Sequence, residues 1–442
     1  MKTHVTDLVD DKVMKIKQKQ NIFDSGKVIN VKDYIVEISG LENVKYFEKI
    51  IIMGKAIGYV NAIYENSVNV AIIKEDKQVE IGDIASSTGT LFRAIFSDDA
   101  IGRITDIFGV DQLSGKPFEH FRYVDIEKPN IPIMDRTKVC RPLYTGIAGI
   151  DLIYPIGKGQ RQLIIGDKKT GKTQIALDTI VHQGVVKNKN GMVCIYIAIG
   201  KTKKEIKQIY YELMEKNALK YTTIIAATND TKTPVSYLVP YVGMSIADEY
   251  MKDGRDVLVV IDDLRKHAEI YREMSLISDR TPGREAYPSD IFYVHARLLE
   301  KGCQHKNGGS ITILPIVETK GGDITDYIST NDISITDGQI VLSSKEFMRG
   351  QLPAIDYRRS VSRLGGAVQK PNLKKLGAKV KLKLLSYLET KDVYGLANID
   401  EMGSALKEKL EEGADIENCL RQFKFSPMSN QKIIQKFQKF DN

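Results

Sequence analysis

Short apolar runs divided by turn residues fill the first part of the chain. Between Gly26 and Leu91 they read Val28-Ile29-Asn30-Val31, Tyr34-Ile35-Val36-Glu37-Ile38, Lys49-Ile50-Ile51-Ile52, Ala56-Ile57-Gly58-Tyr59-Val60 and Val68-Asn69-Val70-Ala71-Ile72-Ile73. Runs of this length and spacing predict five or six strands forming a small β-barrel or sandwich over 26–91. Upstream, Val5, Leu8, Val9, Val13 and Ile16 recur among charges at a spacing that suits a short amphipathic helix within residues 1–25. Downstream, Pro117, Pro129, Pro132 and Pro142 punctuate a linker, after which the pattern changes. Continuous apolar runs at 163–165, 192–198, 222–227, 257–261 and 310–315 alternate with helix-period stretches. A strand that is apolar throughout is covered on both faces, so residues 92–369 are expected to form a mostly parallel sheet flanked by helices. A ligand then belongs at the carboxyl ends of the strands. Past Lys370, Leu376, Val380, Leu384 and Leu388 recur every four residues, predicting a short helical domain over 370–442. The expected fold is therefore multidomain α/β: an N-terminal barrel, a central domain with a mostly parallel sheet and a C-terminal helical domain.

One loop of that central domain carries explicit chemistry. Gly166, Asp167, Lys168, Lys169, Thr170, Gly171, Lys172 and Thr173 stand between the apolar run Leu163-Ile164-Ile165 and the helix-period stretch from Gln174 to Ile180. This is the strand, loop and helix order of a phosphate-binding loop. Its glycines permit backbone angles that let successive N–H groups converge on an anion at the helix N-terminus, where the helix dipole adds positive charge. Lys172 is expected to reach the terminal phosphates and the Thr173 hydroxyl to bind Mg²⁺. The run 257–261 ends in Asp262-Asp263, and Asp262 is expected to join Thr173 at the metal; capping the helix that follows from Leu264 is the competing role. Hydrolysis also requires a group that orients or deprotonates water.

Composition narrows the setting. At 442 residues and 42% hydrophobic content the chain suits a folded protein of several domains, and a net charge of +7 spread along it reads as a solvated surface rather than a nucleic-acid patch. Tyr34, Tyr59 and Tyr64 lie among apolar partners in the barrel and are expected in its core or at its rim, not as stacking platforms for bases. Cys140, Cys194, Cys303 and Cys419 have no metal or redox spacing and are expected to be buried thiols in a reducing compartment. The N-terminus lacks a signal-peptide core and no apolar stretch reaches the roughly 18 residues of a membrane helix, so a membrane role is expected only through partners.

Several motifs together carry a resemblance. Pro155-Ile156-Gly157-Lys158-Gly159-Gln160-Arg161, the phosphate loop, Ile195-Tyr196-Ile197-Ala198-Ile199-Gly200, the run from Pro282 to Pro288, Ser334-Ile335-Thr336-Asp337-Gly338-Gln339-Ile340 and Ser360-Val361-Ser362-Arg363-Leu364-Gly365-Gly366 occur in this order. The chain resembles the alpha subunit of F-type ATP synthases from about Gly26 to Met428. The resemblance implies a RecA-like nucleotide domain binding ATP or ADP with Mg²⁺. It implies catalytic beta-type subunits alternating with this chain in a hexamer around a gamma-type shaft, with a stator and membrane sector beyond. It places the subunit in the cytoplasm, peripherally associated with a membrane through the complex, and implies no nucleic-acid partner. Beta subunits carry a catalytic Glu where this sequence has Lys201, so the chain is expected to bind nucleotide without turning it over; Glu205 and Glu318 are the acids that could substitute. Arg363 is implied to act in trans as an arginine finger at the neighbouring catalytic site. Phe347, Pro353 and Gln422 are implied at the base, where Leu352 and Lys424 replace polar residues of the family pattern. Lys169 also departs from it. The Lys-rich character and short ends suggest a divergent, shortened paralogue such as the F-type-like ATPases of mycoplasmas. The competing readings are a self-sufficient hexameric ATPase motor of a secretion or gliding machinery and a Rho-like RNA translocase.

Overall fold

In the computed structural model, which describes residues 24–185, 191–394 and 404–441, the N-terminal apolar runs fold into strands β1 (Ser25–Lys32), β2 (Ile35–Ser39), β3 (Glu48–Ile52), β4 (Ala56–Ile63), β5 (Val68–Glu75) and β6 (Ile84–Leu91). The helix expected near residues 5–20 lies outside the described residues. The strands close a barrel in the order β1-β2-β5-β4-β3-β6, each neighbouring pair antiparallel. Closure removes the unpaired edges that a small sheet would expose. β3 shows the period of two directly: Ile50 and Ile52 point into the core while Ile51 faces out. Val28, Val36, Ile38, Val60, Val70 and Ile72 fill the interior.

This barrel forms one compact unit, comprising the described part of Met1–Arg93 with Lys232–Pro234 and Glu273–Thr281. Tyr59 is fully buried, and Tyr34 is nearly so, with its hydroxyl donating to Glu273 at 2.7 Å. Tyr64 is exposed on the rim, its hydroxyl donating to the Ser278 carbonyl at 2.9 Å.

The second unit contains Ala94–Thr231, Val235–Arg272 and Pro282–Asn442. Its sheet is ten-stranded, and its main path uses β7 (Ile104–Thr105), β8 (Leu163–Asp167), β9 (Met192–Lys201), β10 (Thr222–Thr228), β11 (Asp256–Asp262), β12 (Ser310–Thr319), β13 (Gly338–Leu342) and β14 (Val361–Ser362). The order is β14-β13-β8-β12-β11-β9-β10-β7, parallel throughout except that β14 runs antiparallel to β13. Parallel register sets Gly166 beside Glu318, and Asp262 beside Ala198 and Ile316, so the carboxyl ends of β8, β12, β11 and β9 form one edge. Helices α1 (Lys172–Gln183), α2 (Lys203–Glu215), α3 (Thr233–Lys252), α4 (Leu264–Ile277), α5 (Ile291–Leu299) and α6 (Tyr327–Ile335) lie between the strands in sequence, followed by the short α7 (Ser344–Met348).

The tail forms α8 (Pro371–Tyr394), α9 (Ser404–Leu420) and α10 (Asn430–Phe437). Leu376, Val380, Leu384 and Leu388 are all buried and share one apolar cluster with Ile416, Leu420, Ile433 and Phe437, and with Ile150, Ile164 and Ile316 of the nucleotide-type region. Gly377 lets α8 approach: a Cβ there would stand 2.3 Å from the Leu152 carbonyl oxygen. The cysteine expectation needs one correction. Cys194 and Cys303 are buried and Cys419 is half-buried, but Cys140 is exposed, because it lies on the surface linker beside Gln304. Among the described residues no helix is long and apolar enough to cross a membrane.

Candidate functional site

β8 ends at Asp167 and α1 begins at Lys172, so the loop between them sits at the carboxyl edge of the sheet. Gly171, at φ 99, takes a left-handed turn that only glycine adopts freely, and Lys169 sits at φ 65. Gly166 is needed for space: a Cβ would fall 2.6 Å from the Leu342 carbonyl oxygen on β13. Asp167 is the fastener. Its carboxylate accepts from Thr319 Oγ1 at 2.6 Å, Gly322 N at 2.7 Å and Ser344 Oγ at 2.9 Å. Burial raises its pKa, but these donors outweigh burial and hold it below the ordinary carboxylate value. Its carbonyl accepts from Lys172 Nζ at 2.6 Å and Thr170 Oγ1 at 2.8 Å, which curls the loop over the start of α1. Lys168 and Lys169 are exposed, while Thr170 and Lys172 are buried. Burial lowers the Lys172 pKa, against the pull of Asp263, Glu318 and Asp262.

At the end of β11, Asp262 gathers three donors on one oxygen. Thr173 Oγ1 donates to Oδ2 at 2.8 Å, Tyr196 Oη donates at 2.5 Å, and Lys201 Nζ pairs with it at 2.9 Å. The capping of α4 falls to Asp263, whose carboxylate accepts from Arg265 N at 2.6 Å and from Glu318 N at 3.1 Å. Burial, and then the adjacent Asp262 charge, push Asp263 up to about 7. Burial works against the Lys201 ammonium, but Asp262 and Asp263 outweigh it and leave the group more firmly cationic than usual. Arg265 ties this corner to α6 through Asp326 Oδ2 at 2.5 Å.

The donor set fits a magnesium nucleotide. Thr173 and Asp262 supply a hydroxyl and a carboxylate oxygen 2.8 Å apart, both hard ligands, and Mg²⁺ characteristically takes few protein oxygens and completes its shell with phosphate and water. Among the described residues no group of three or more His, Cys, Asp or Glu side chains is arranged to hold a metal ion. Of the acids that could activate water, Glu205 is committed to a capping box, accepting from Thr202 N at 2.8 Å and Thr202 Oγ1 at 2.7 Å. Glu318 lies 3.9 Å from Lys172 Nζ.

The residues expected at the base lie on two segments joined by the Gln422 N–H, which donates to the Leu352 carbonyl at 2.7 Å. α7 carries the half-exposed Phe347 and is anchored to the phosphate loop through Ser344; Pro353 follows it. The Gln422 side chain is buried and spent on backbone: it accepts from Ala148 N at 3.1 Å and donates to the carbonyls of Gly146 and Ser426, both at 2.7 Å. Lys424 is exposed. Arg363, after β14, is exposed; its guanidinium donates to the Thr336 carbonyl at 3.4 Å, and among the described residues it forms no ion pair. Sequence reasoning missed Tyr196, Ser344, Thr319 and the capping role of Asp263. Tyr196 lies inside an apolar run, and only sheet register reveals its partner.

Comparison with known proteins agrees with this geometry. Residues 146–362 match the ATP synthase alpha/beta family, nucleotide-binding domain. An ATP synthase subunit alpha of Clostridium acetobutylicum is 40% identical over 439 residues, covering 97% of this chain and 85% of the relative. Those of Mesoplasma florum and Mycoplasma capricolum are 42% and 40% identical, covering 92% and 96% of this chain and 77% and 80% of the relatives. With a six-stranded barrel, a mostly parallel nucleotide-binding sheet and C-terminal helices in this order, and with relatives of this extent, the chain belongs to the ATP synthase alpha/beta family, on its alpha-subunit side.

Proposed function

We propose that this chain is a non-catalytic, nucleotide-binding alpha-type subunit of a rotary ATPase head. It binds ATP or ADP with Mg²⁺ and presents Arg363 to the catalytic site of a neighbouring beta-type subunit. The observation that carries the reading is Lys201: an ammonium, held 2.9 Å from Asp262, stands where turnover would require a carboxylate. A cation cannot take a proton from water, and Glu205 is occupied as a cap. Gly166 to Thr173 hold the phosphates, Thr173 and Asp262 hold the metal, and Phe347, Pro353 and the segment around Gln422 frame the base. Arg363 supports the second half of the reading, because an exposed guanidinium without an ion-pair partner among the described residues is available to another subunit. The relatives' name, ATP synthase subunit alpha, supports assembly with beta-type subunits, a gamma-type shaft and a membrane-bound sector.

The test is equilibrium binding alongside a turnover assay on the purified chain. Binding of MgATP with no hydrolysis above background is expected. Multiple-turnover hydrolysis that survives removal of contaminating ATPases would refute the non-catalytic assignment.

A further inference from the structure

We propose that the Lys201 ammonium is a resident cation of the phosphate site, so that the chain holds nucleoside di- and triphosphates with only weak dependence on Mg²⁺. The inference rests on the nucleotide-binding reading above and concerns which charge balances Asp262. That carboxylate is 2% exposed and cannot be neutralised by bulk water. Its Oδ2 already receives the Thr173 and Tyr196 hydroxyls and the Lys201 ammonium, at 2.8, 2.5 and 2.9 Å. An uncharged side chain at position 201 would leave the buried charge to be offset by a divalent ion. Here an ammonium on the same chain offsets it before any ligand arrives.

Lys201 is held in place. Its side chain is 19% exposed, at the end of β9, and Gly200 before it takes φ 65 with its Cα packed against the Lys266 stem, so that a Cβ would lie 2.8 Å from Lys266 Cγ. Lys172 adds a second ammonium, which donates to the Asp167 carbonyl and lies 3.9 Å from Glu318. Two ammonium groups at the carboxyl edge of the sheet provide the positive charge that the phosphates require. Both groups repel an incoming divalent cation, and Lys201 competes with it for the Asp262 carboxylate. The ligand class is thus the metal-free nucleotide as well as its magnesium complex.

The experiment measures affinity for a fluorescent ADP analogue with the full chain, in excess Mg²⁺ and in excess EDTA, for wild type, Lys201→Gln and Lys201→Arg. EDTA is expected to weaken wild type and Lys201→Arg by less than about threefold. It is expected to weaken Lys201→Gln by about tenfold or more, a difference of about 1.4 kcal/mol per decade. An equal loss on EDTA treatment in wild type and Lys201→Gln would overturn the proposal, and the wild-type arm stands even if a variant folds poorly. Absence of binding to wild type in both media would instead remove the nucleotide reading itself, and this inference with it.

Discussion

Truncating Gln422 to Ala is expected to destabilise the nucleotide-binding unit by about 3 kcal/mol while leaving the phosphate contacts intact. The side-chain amide satisfies three backbone groups: Ala148 N at 3.1 Å and the carbonyls of Gly146 and Ser426 at 2.7 Å. Gln422 is 9% exposed, so water is poorly placed to replace the amide. Leaving a buried donor or acceptor unpaired costs about 1–3 kcal/mol, here for Ala148 N and the Ser426 carbonyl, and removing one of the two donors to the Gly146 carbonyl costs about 1 kcal/mol. The low end suits this site, because Phe425 N still donates to Asp178 Oδ1 and Met428 N to the Gly146 carbonyl, both at 2.8 Å, and hold the segment. Three partners at about 1 kcal/mol each give the estimate, which corresponds to a fall of roughly 5–10 °C in unfolding midpoint. Gln422→Glu is a sharper probe. It keeps an acceptor for Ala148 N but sets a carboxylate against two carbonyl oxygens, so it is expected to be worse than Ala. Thermal unfolding and nucleotide affinity are measured on the same samples. An unchanged midpoint together with a tenfold or greater loss of affinity would show that the amide serves the nucleotide rather than the backbone, and the reasoning would fail.

Lys172→Ala should weaken ATP binding by roughly 10–100-fold, the value of a charge-assisted hydrogen bond of about 1.5–3 kcal/mol; calorimetric titration giving an unchanged affinity would contradict it. Arg363→Ala, in a complex reconstituted with the catalytic partner, should lower turnover by roughly 10³–10⁵ with Arg363→Lys less severe, and a normally assembled mutant complex working within a few-fold of wild type would rule out action in trans. Selectivity for ATP over GTP should stay below about a hundredfold, since Leu352 and Lys424 offer the base edge little and a lost hydrogen bond costs about 1 kcal/mol; competition binding decides. His267 is fully buried, stacked 5.1 Å from Tyr237 and facing His295, and burial lowers its pKa to about 3. The unfolded chain protonates near pH 6.5 and the folded chain does not, so this stability is present above about 6.5 and is lost as pH falls, about 2 kcal/mol of it by about pH 5. His267→Phe should flatten that loss in denaturation midpoints at the two pH values.

What was legible in the sequence is what chemistry forces to be local. The phosphate loop needs its glycines, Lys172 and Thr173 within eight consecutive residues, and Asp262 needs an apolar strand immediately before it, so both could be placed by position alone. The barrel was legible for β1 to β5, whose inward positions are mostly Val and Ile. β6, Ile84–Leu91, is mostly small and polar and closes the barrel with little apolar signal, burying Ala85 and Ser87. Partnerships set by parallel register were invisible. Tyr196 reads as core, and only β9 lying beside β11 brings its hydroxyl to Asp262. The same register carries Lys201 to that carboxylate, where sequence could establish the charge but not its partner. Gln422 meets Ala148 across a separation of 274 residues, a contact without any local pattern. Cys140 failed for a simpler reason: cysteine is buried on average, and a surface linker overrides the average.

A site that retains nucleotide and one that turns it over differ in electrostatics more than in shape. Asp262, Asp263 and Glu318 already lie at this edge of the sheet, and burial, with the adjacent Asp262 charge added to it, raises the Asp263 pKa to about 7. Phosphates add further negative charge, so retention favours cations, and Lys172 and Lys201 supply them. A catalytic carboxylate at position 201 would remove one cation and add one anion, trading affinity for the ability to accept a proton. The proposed function sets this pocket on the retentive side. Nucleotide kept at a hundred times its dissociation constant stabilises the folded state by about 2.7 kcal/mol, comparable to the three backbone hydrogen bonds of Gln422. The ligand then acts as part of the subunit's own framework. On the proposed function its phosphates would bear on the loop and α1 and its base on α7 and the segment at Gln422, elements already fastened by the Ser344–Asp167 and Phe425–Asp178 hydrogen bonds.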